Sequence, residues 1–191
     1  FFVASMTSVQ APLFDITTQI NVSFFSGSKR EWLGTQTLVP ANPANDLKLQ
    51  RALTDMAGNA VVLWTQTEGD RTGLRSASYD IATKSWRPSQ VVDDKLGGGA
   101  DLVDFDFDEC GGASAVWLQY EAGRPQEGAI VNVASNRYRT KDDRWFNAKL
   151  LEKQAGQVRS PKVALLPDGK GFAAWIQEEG GVFRVNVGRL N

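Results

Sequence analysis

Histidine is absent from this sequence, and cysteine occurs once, at position 110. The first absence removes every Ser-His-Asp or Cys-His catalytic arrangement and every histidine-ligated zinc site. The second removes intrachain disulfides and cysteine-rich metal clusters. An excess of one charge is missing too. The 21 basic residues face 22 acidic ones, a net of −1, so no long-range field draws nucleic acid or anionic lipid to the chain. No apolar run approaches the roughly 18 residues of a membrane-spanning helix. Helix signals are thin as well, because no segment keeps apolar residues at i, i+3, i+4 and i+7 for three turns behind a cap. Residues 41–51 are read as one helical turn at most, since Pro40 and Pro43 interrupt any longer helix.

Tryptophan and glycine are plentiful instead, with 6 and 18 in 191 residues, and a 42% hydrophobic content is enough for a packed core. The tryptophans form two alternating series. Trp64, Trp117 and Trp175 stand 53 and 58 residues apart, and Trp32, Trp86 and Trp145 stand 54 and 59 apart. The first series reads Trp64-Thr65-Gln66, Trp117-Leu118-Gln119 and Trp175-Ile176-Gln177, each with a glycine six residues earlier (Gly58, Gly111, Gly169). The second has an aromatic residue seven positions before each tryptophan: Phe25, Tyr79 and Tyr138. A unit of about 55 residues therefore repeats.

One unit reads as four short strands. Asp104-Phe105-Asp106-Phe107-Asp108 alternates with period two, Gly111-Gly112 turns the chain, 113–120 is a second strand, 129–138 a third, and 145–151 a fourth. The expected fold class is all-β, a β-propeller or part of one, built of four-stranded antiparallel blades of about 55 residues. The divisions fall at a partial blade 1–42, blades 43–95 and 98–155, and a partial blade 158–191, in what reads as a section of a longer protein. That makes about 14 strands. The apolar stretch Phe1 to Ala11 resembles the tail of a signal peptide, but the repeat places a strand there. All six tryptophans, Trp32, Trp64, Trp86, Trp117, Trp145 and Trp175, are assigned to packing between blades.

Gly-Asn-Ala-Val-Val-Leu-Trp-Thr-Gln at 58–66, Gly-Leu-Arg-Ser-Ala-Ser-Tyr-Asp followed by Trp at 73–86, and Asn136-Arg137-Tyr138 followed by Trp145 resemble the repeats of bacterial secreted or envelope β-propeller proteins of the sialidase-like kind. The resemblance implies an exported, periplasmic or cell-surface location, with protein partners in an envelope or surface assembly and glycan as a further partner class. It implies no single activity. Sialidases carry Ser-x-Asp-x-Gly-x-Thr-Trp boxes, and Lys141-Asp142-Asp143-Arg144-Trp145 lacks the Ser, Gly and Thr.

Two local features stand out from the repeat. Asp101, Asp104, Asp106, Asp108 and Glu109 form an acidic stretch, in which Asp104, Asp106 and Asp108 are candidate oxygen ligands for Ca²⁺. The same residues suit an inner strand with Phe105 and Phe107 on its other face, neutralised by Arg51 and Lys162 at the positions of Asp104 in neighbouring repeats. The loop 121–128 is about six residues longer than its equivalents, either a solvated insertion or a carrier of binding residues. No catalytic residue and no cofactor is nominated. The expected function is a non-enzymatic binding or scaffolding module. The alternative is a carbohydrate-active domain, glycoside hydrolase or sialidase-like, that uses carboxylates on the loop face.

Overall fold

The computed structural model describes residues 2–10, 16–125, 129–152 and 157–190. It contains four antiparallel sheets. Sheet 1 comprises β1 (Phe2–Gln10), β2 (Ile16–Ser26) and β3 (Glu31–Val39). Sheet 2 comprises β4 (Asn45–Thr54), β5 (Ala60–Glu68) and β6 (Arg71–Asp80), with an outer edge split into β7 (Ser85–Trp86) and β8 (Gln90–Val91). Sheet 3 repeats this with β9 (Gly99–Phe107), β10 (Gly112–Tyr120), β11 (Val131–Arg139), β12 (Arg144–Trp145) and β13 (Lys149–Leu150). Sheet 4 comprises β14 (Val158–Leu165), β15 (Gly171–Glu179) and β16 (Val182–Leu190).

Two expectations need correction. The fourth strand of each middle sheet is broken, because Pro88 has no N–H to donate in sheet 2 and Ala148 N–H turns to Asp94 Oδ1 (3.1 Å) in sheet 3. Residues 45–51 are strand rather than helical turn. Leu47 is buried in the core and pairs with Gln66, an alternating pattern that a sheet face uses directly. Of the stretch that resembles a signal-peptide tail, Phe2–Gln10 is β1, as the repeat placed it, and Phe1 and Ala11 lie outside the described residues.

The sheets stack through three apolar layers. Ile20 and Val22 of sheet 1 meet Val62, Trp64 and Ala77 of sheet 2. Val61, Leu63 and Leu74 on the other face of sheet 2 meet Phe105, Trp117, Tyr138 and Trp145 of sheet 3. Val116, Leu118, Val131 and Val133 of sheet 3 meet Ala173 and Trp175 of sheet 4. Alternation along each strand thus gives sheets 2, 3 and 4 a tryptophan face toward the preceding sheet, and sheets 1, 2 and 3 an aliphatic face toward the following one.

The Trp-x-Gln repeat has a direct structural meaning. Residues i and i+2 of a strand share a face, and in each copy the indole N–H donates to the glutamine carbonyl: Trp64 to Gln66 (3.2 Å), Trp117 to Gln119 (2.8 Å) and Trp175 to Gln177 (3.2 Å). The Gln119 amide then donates to Gly97 O (2.7 Å) and Gly99 O (3.1 Å), on the segment that leads from sheet 2 into β9. One side chain therefore satisfies a buried indole and fixes an inter-sheet crossing. The repeated glycines also have a cause, since Gly58, Gly111 and Gly169 all sit at positive φ (95°, 79° and 79°) in the first hairpin of their sheets.

Gln119→Leu is expected to cost about 1–3 kcal/mol, because it leaves a buried indole N–H and two carbonyls without partners. Gln66→Leu should cost less, since among the described residues the Gln66 amide reaches only Glu68, at the surface. Urea denaturation of both variants measures the difference.

Candidate functional site

The first strands of sheets 2, 3 and 4 lie side by side, and each carries an irregularity next to its tryptophan: in β4 between Leu49 and Arg51, in β9 opposite Val116–Leu118, and in β14 between Arg159 and Lys162. At the β9 irregularity Leu102 has φ 48°, a left-handed conformation that costs a non-glycine residue roughly 1–2 kcal/mol. Just before it, Asp101 accepts from Lys48 Nζ (2.7 and 3.0 Å) and from Gln50 Nε2 (2.9 Å), while Gln50 Oε1 accepts from Val103 N–H (3.2 Å). This polar clasp joins β4 to β9.

The clasp forms one wall of a groove of about 510 Å³. Thr65 and Thr67 line it from β5, on the strand face opposite Trp64 and Gln66, and Thr72 lines it from β6. Asp46 and Lys48 enter from β4, and Arg124 and Pro125 from the long loop. Residues 126–128 of that loop lie outside the described residues, and its described part, 121–125, is tied to sheet 2. Thr72 N–H donates to Gly123 O (2.8 Å), Arg124 donates to Gly69 O, and a Cβ on Gly123 would stand 2.1 Å from Asp70 O, so only glycine fits at 123. Arg71 braces the neighbouring crossing through Gly98 O (3.1 Å), Leu96 O (3.3 Å) and the fully buried Asp93 (2.7 Å).

Burial would raise the Asp101 carboxyl, but hydrogen bonds from Lys48, the Leu102 backbone and Gln50, with the Lys48 charge, outweigh it and hold the group below its ordinary value. Asp101 is thus an ionised acceptor rather than a proton donor. Asp93 is the reverse case, in which burial pushes the carboxyl up despite Arg71. The groove supplies two cations, three hydroxyls and two carboxylates to a ligand.

The candidate metal ligands lie elsewhere. Asp104 accepts from Arg51 Nε (2.9 Å) and Val163 N–H (3.1 Å), with Lys162 at 4.0 Å, which is the neutralisation the repeat offsets suggested. Asp106 accepts from Leu165 N–H (2.8 Å). Asp108 accepts from the N–H groups of Cys110 (2.9 Å) and Gly112 (2.7 Å) in its own hairpin, and from Arg137 (3.3 Å). Among the described residues no three His, Cys, Asp or Glu side chains cluster so as to hold a metal ion. Cys110 is exposed in that hairpin, at the rim of a second cavity of about 530 Å³ on the opposite face. Beside it Asp143 accepts from Tyr138 Oη (2.7 Å) and Ser78 Oγ (2.5 Å), so this aspartate ties sheet 2 to sheet 3. Burial pushes the Tyr138 phenol well above its ordinary range.

Sequence reasoning singled out the Arg124 loop and the acidic stretch but missed Asp46, Lys48, Thr65, Thr67 and Thr72. Two signals were available: alternation in β5, which puts both threonines on the face away from Trp64, and the 53-residue repeat offset, which sets Lys48 opposite Asp101 as it sets Arg51 opposite Asp104.

No family model and no curated protein matches the sequence. Solved structures do. Two structures of an ulvan lyase of the polysaccharide lyase family PL25, one of them bound to -[GlcA(1-4)Rha3S]-, align with TM-scores of 0.60 and 0.59 at 10% and 9% identity. The likeness is one of fold. Each alignment covers 100% of this chain and 53% of the solved chain, so the chain spans about half the length of the structures it matches. The four antiparallel sheets match part of a propeller-fold lyase. No helix among the described residues is long and apolar enough to cross a membrane.

Asp101→Asn is expected to destabilise the protein at neutral pH. A lowered folded pKa gives stability that is complete above the unfolded value of 3.8 and is lost as pH falls through the folded value. The gap between variant and wild type should therefore close in acid, as followed by denaturant unfolding across pH.

Proposed function

We propose that the chain is part of a carbohydrate-active β-propeller with four-stranded blades of about 55 residues, and that the Lys48–Asp101–Arg124 groove binds an anionic polysaccharide. The observation that carries this reading is the convergence of Lys48, Arg124, Thr65, Thr67 and Thr72 on one groove across two sheets. The groove suits a sugar acid or sulfate ester, because ammonium and guanidinium groups pair with the anion while threonine hydroxyls and ionised Asp101 meet ring hydroxyls. The fold likeness to a polysaccharide lyase, solved with a glucuronate- and sulfated rhamnose-containing ligand, supports the same class.

Chemistry at such a site needs more than binding. Elimination from a uronate requires a base for the proton beside the carboxylate and a group that neutralises that carboxylate. Lys48 and Arg124 suit the second role. Asp101, held ionised by Lys48 and Gln50, is a poor acid and a weak base, and Asp46 is the other carboxylate on the groove. This favours, as a second reading, a binding module whose groove holds glycan without turning it over. Both readings place the partner on the loop face.

Calorimetric titration with oligosaccharides of glucuronate and sulfated rhamnose, against neutral glucan oligosaccharides, tests the proposal. Preference for the anionic series is expected, with Lys48→Ala and Arg124→Ala each weakening it about tenfold or more, the worth of one charge-assisted hydrogen bond. Equal binding of neutral glucans, or no binding of either, overturns it. Ultraviolet absorbance of unsaturated uronate ends and release of reducing ends separate the lyase, hydrolase and binding-only readings in the same samples.

A further inference from the structure

An arginine of sheet 3 has no counterpart in sheet 2. The strand pairing Ala60–Tyr79 matches Ala113–Tyr138, so Asp55, Asn59 and Ser78 stand where sheet 3 has Asp108, Gly112 and Arg137. In sheet 3 the Arg137 guanidinium lies over its own first hairpin. One nitrogen donates to Asp108 (3.3 Å) and another to Gly169 O, on the first hairpin of sheet 4 (2.9 Å). In sheet 2 that place is differently used. Ser78 turns its hydroxyl to Asp143 (2.5 Å), and the Asn59 amide donates to the Asp55 oxygen that corresponds to the one Arg137 meets on Asp108 (2.8 Å). Asp55, Asn59 and Ser78 all line the cavity of about 530 Å³ between sheets 2 and 3, and Glu109, Cys110 and Gly111 line it from sheet 3. Gly111 is the repeat counterpart of Gly169. The cavity therefore occupies the space that Arg137 fills between sheets 3 and 4.

We propose that this cavity receives an arginine side chain of a partner polypeptide, its guanidinium lodging over Asp55 as that of Arg137 lies over Asp108. The charges suit that occupant. Asp80 is neutralised by Arg87 (2.7 Å), whereas Asp55 and Glu109 pair with no cation among the described residues. Each Asp55 oxygen accepts one hydrogen bond from Asn59 (2.8 Å each) and keeps a further lone pair for a forked donor. Lys141 also lines the cavity, but it is exposed and turns to water at little cost. The walls suit the stem of the side chain. Met56, Tyr79, Ile81 and Phe107 give apolar surface for the methylenes of an arginine while its head stays polar. Met56 is 89% exposed, so a docked chain has apolar surface to cover there.

Methyl NMR of methionine-labelled protein tests the proposal, because the chain has two methionines, Met56 at the cavity and Met6 in sheet 1. The probe is a blocked glycine–arginine–glycine tripeptide, with citrulline and glutamate versions beside it. The arginine peptide should shift the Met56 methyl saturably and leave Met6 unmoved. The citrulline version keeps the shape without the charge and should bind about tenfold more weakly. Asp55→Asn should weaken the arginine peptide about tenfold as well. Ser78→Arg, which supplies the guanidinium from within, should abolish binding. Circular dichroism checks each fold, and Glu109→Gln, at an exposed position, replaces a variant that unfolds, with a smaller loss in the same direction. An unmoved Met56 methyl, equal binding of the citrulline or glutamate peptide, or undiminished binding in the folded variants overturns the proposal. Glucuronate oligosaccharides should bind the Lys48–Arg124 groove equally in all of these variants, which separates this proposal from the proposed function.

Discussion

A tryptophan laid against the aliphatic face of the sheet before it is the contact on which everything else rests. A three- or four-stranded meander cannot bury either of its faces alone. Here each middle sheet is buried on both sides, and a large aromatic side chain, worth on the order of 200 Å² of burial, supplies much of each layer. Burying an indole creates a polar debt, since its N–H must find an acceptor. The glutamine two residues on answers it from the same strand face, and in sheet 3 its amide reaches the incoming segment as well. Packing, polar satisfaction and connection between sheets are thus fixed by one tripeptide.

This economy explains what was legible in the sequence. The tryptophan spacing, the Gly58, Gly111 and Gly169 turns and the Phe105–Phe107 alternation are periodic signals, and the corresponding strands and positive-φ glycines are where they were expected. The pairing of Asp104 with Arg51 and Lys162 was also readable, because repeat-equivalent positions on adjacent first strands become neighbours in space. Other elements left no periodic trace. Pro88 and the residues around Asn147 break the outer strands for local reasons, and the apparent helical turn before Arg51 dissolves once Leu47 is buried in a sheet.

The groove was the least legible part. Its residues come from two repeats, from alternating strand positions and from an insertion. Lys48 and Asp101 stand at the same 53-residue repeat offset as Arg51 and Asp104, so that pair was open to the same reading, but the acidic stretch and the length of the 121–128 loop were the features singled out. Such a site arises where an insertion is added to a contact that the repeat keeps. Gly123 and Gly98 show how closely the inserted loop is fitted, since a Cβ at either would collide with backbone oxygen of Asp70 or Tyr120.

The acidic strand has one more consequence. Asp104 and Asp106 of β9 take the N–H groups of Val163 and Leu165, donors on the free edge of β14. Edge donors left open invite another chain to add a strand, the route to runaway polymerisation in sheet proteins. In a repeat array the hazard is greater, because every copy offers a similar strand in a similar register. Carboxylates that occupy these donors from the side oppose pairing of the β14 edge with a neighbour's backbone, so the acids guard against misassembly as well as tying sheet 3 to sheet 4.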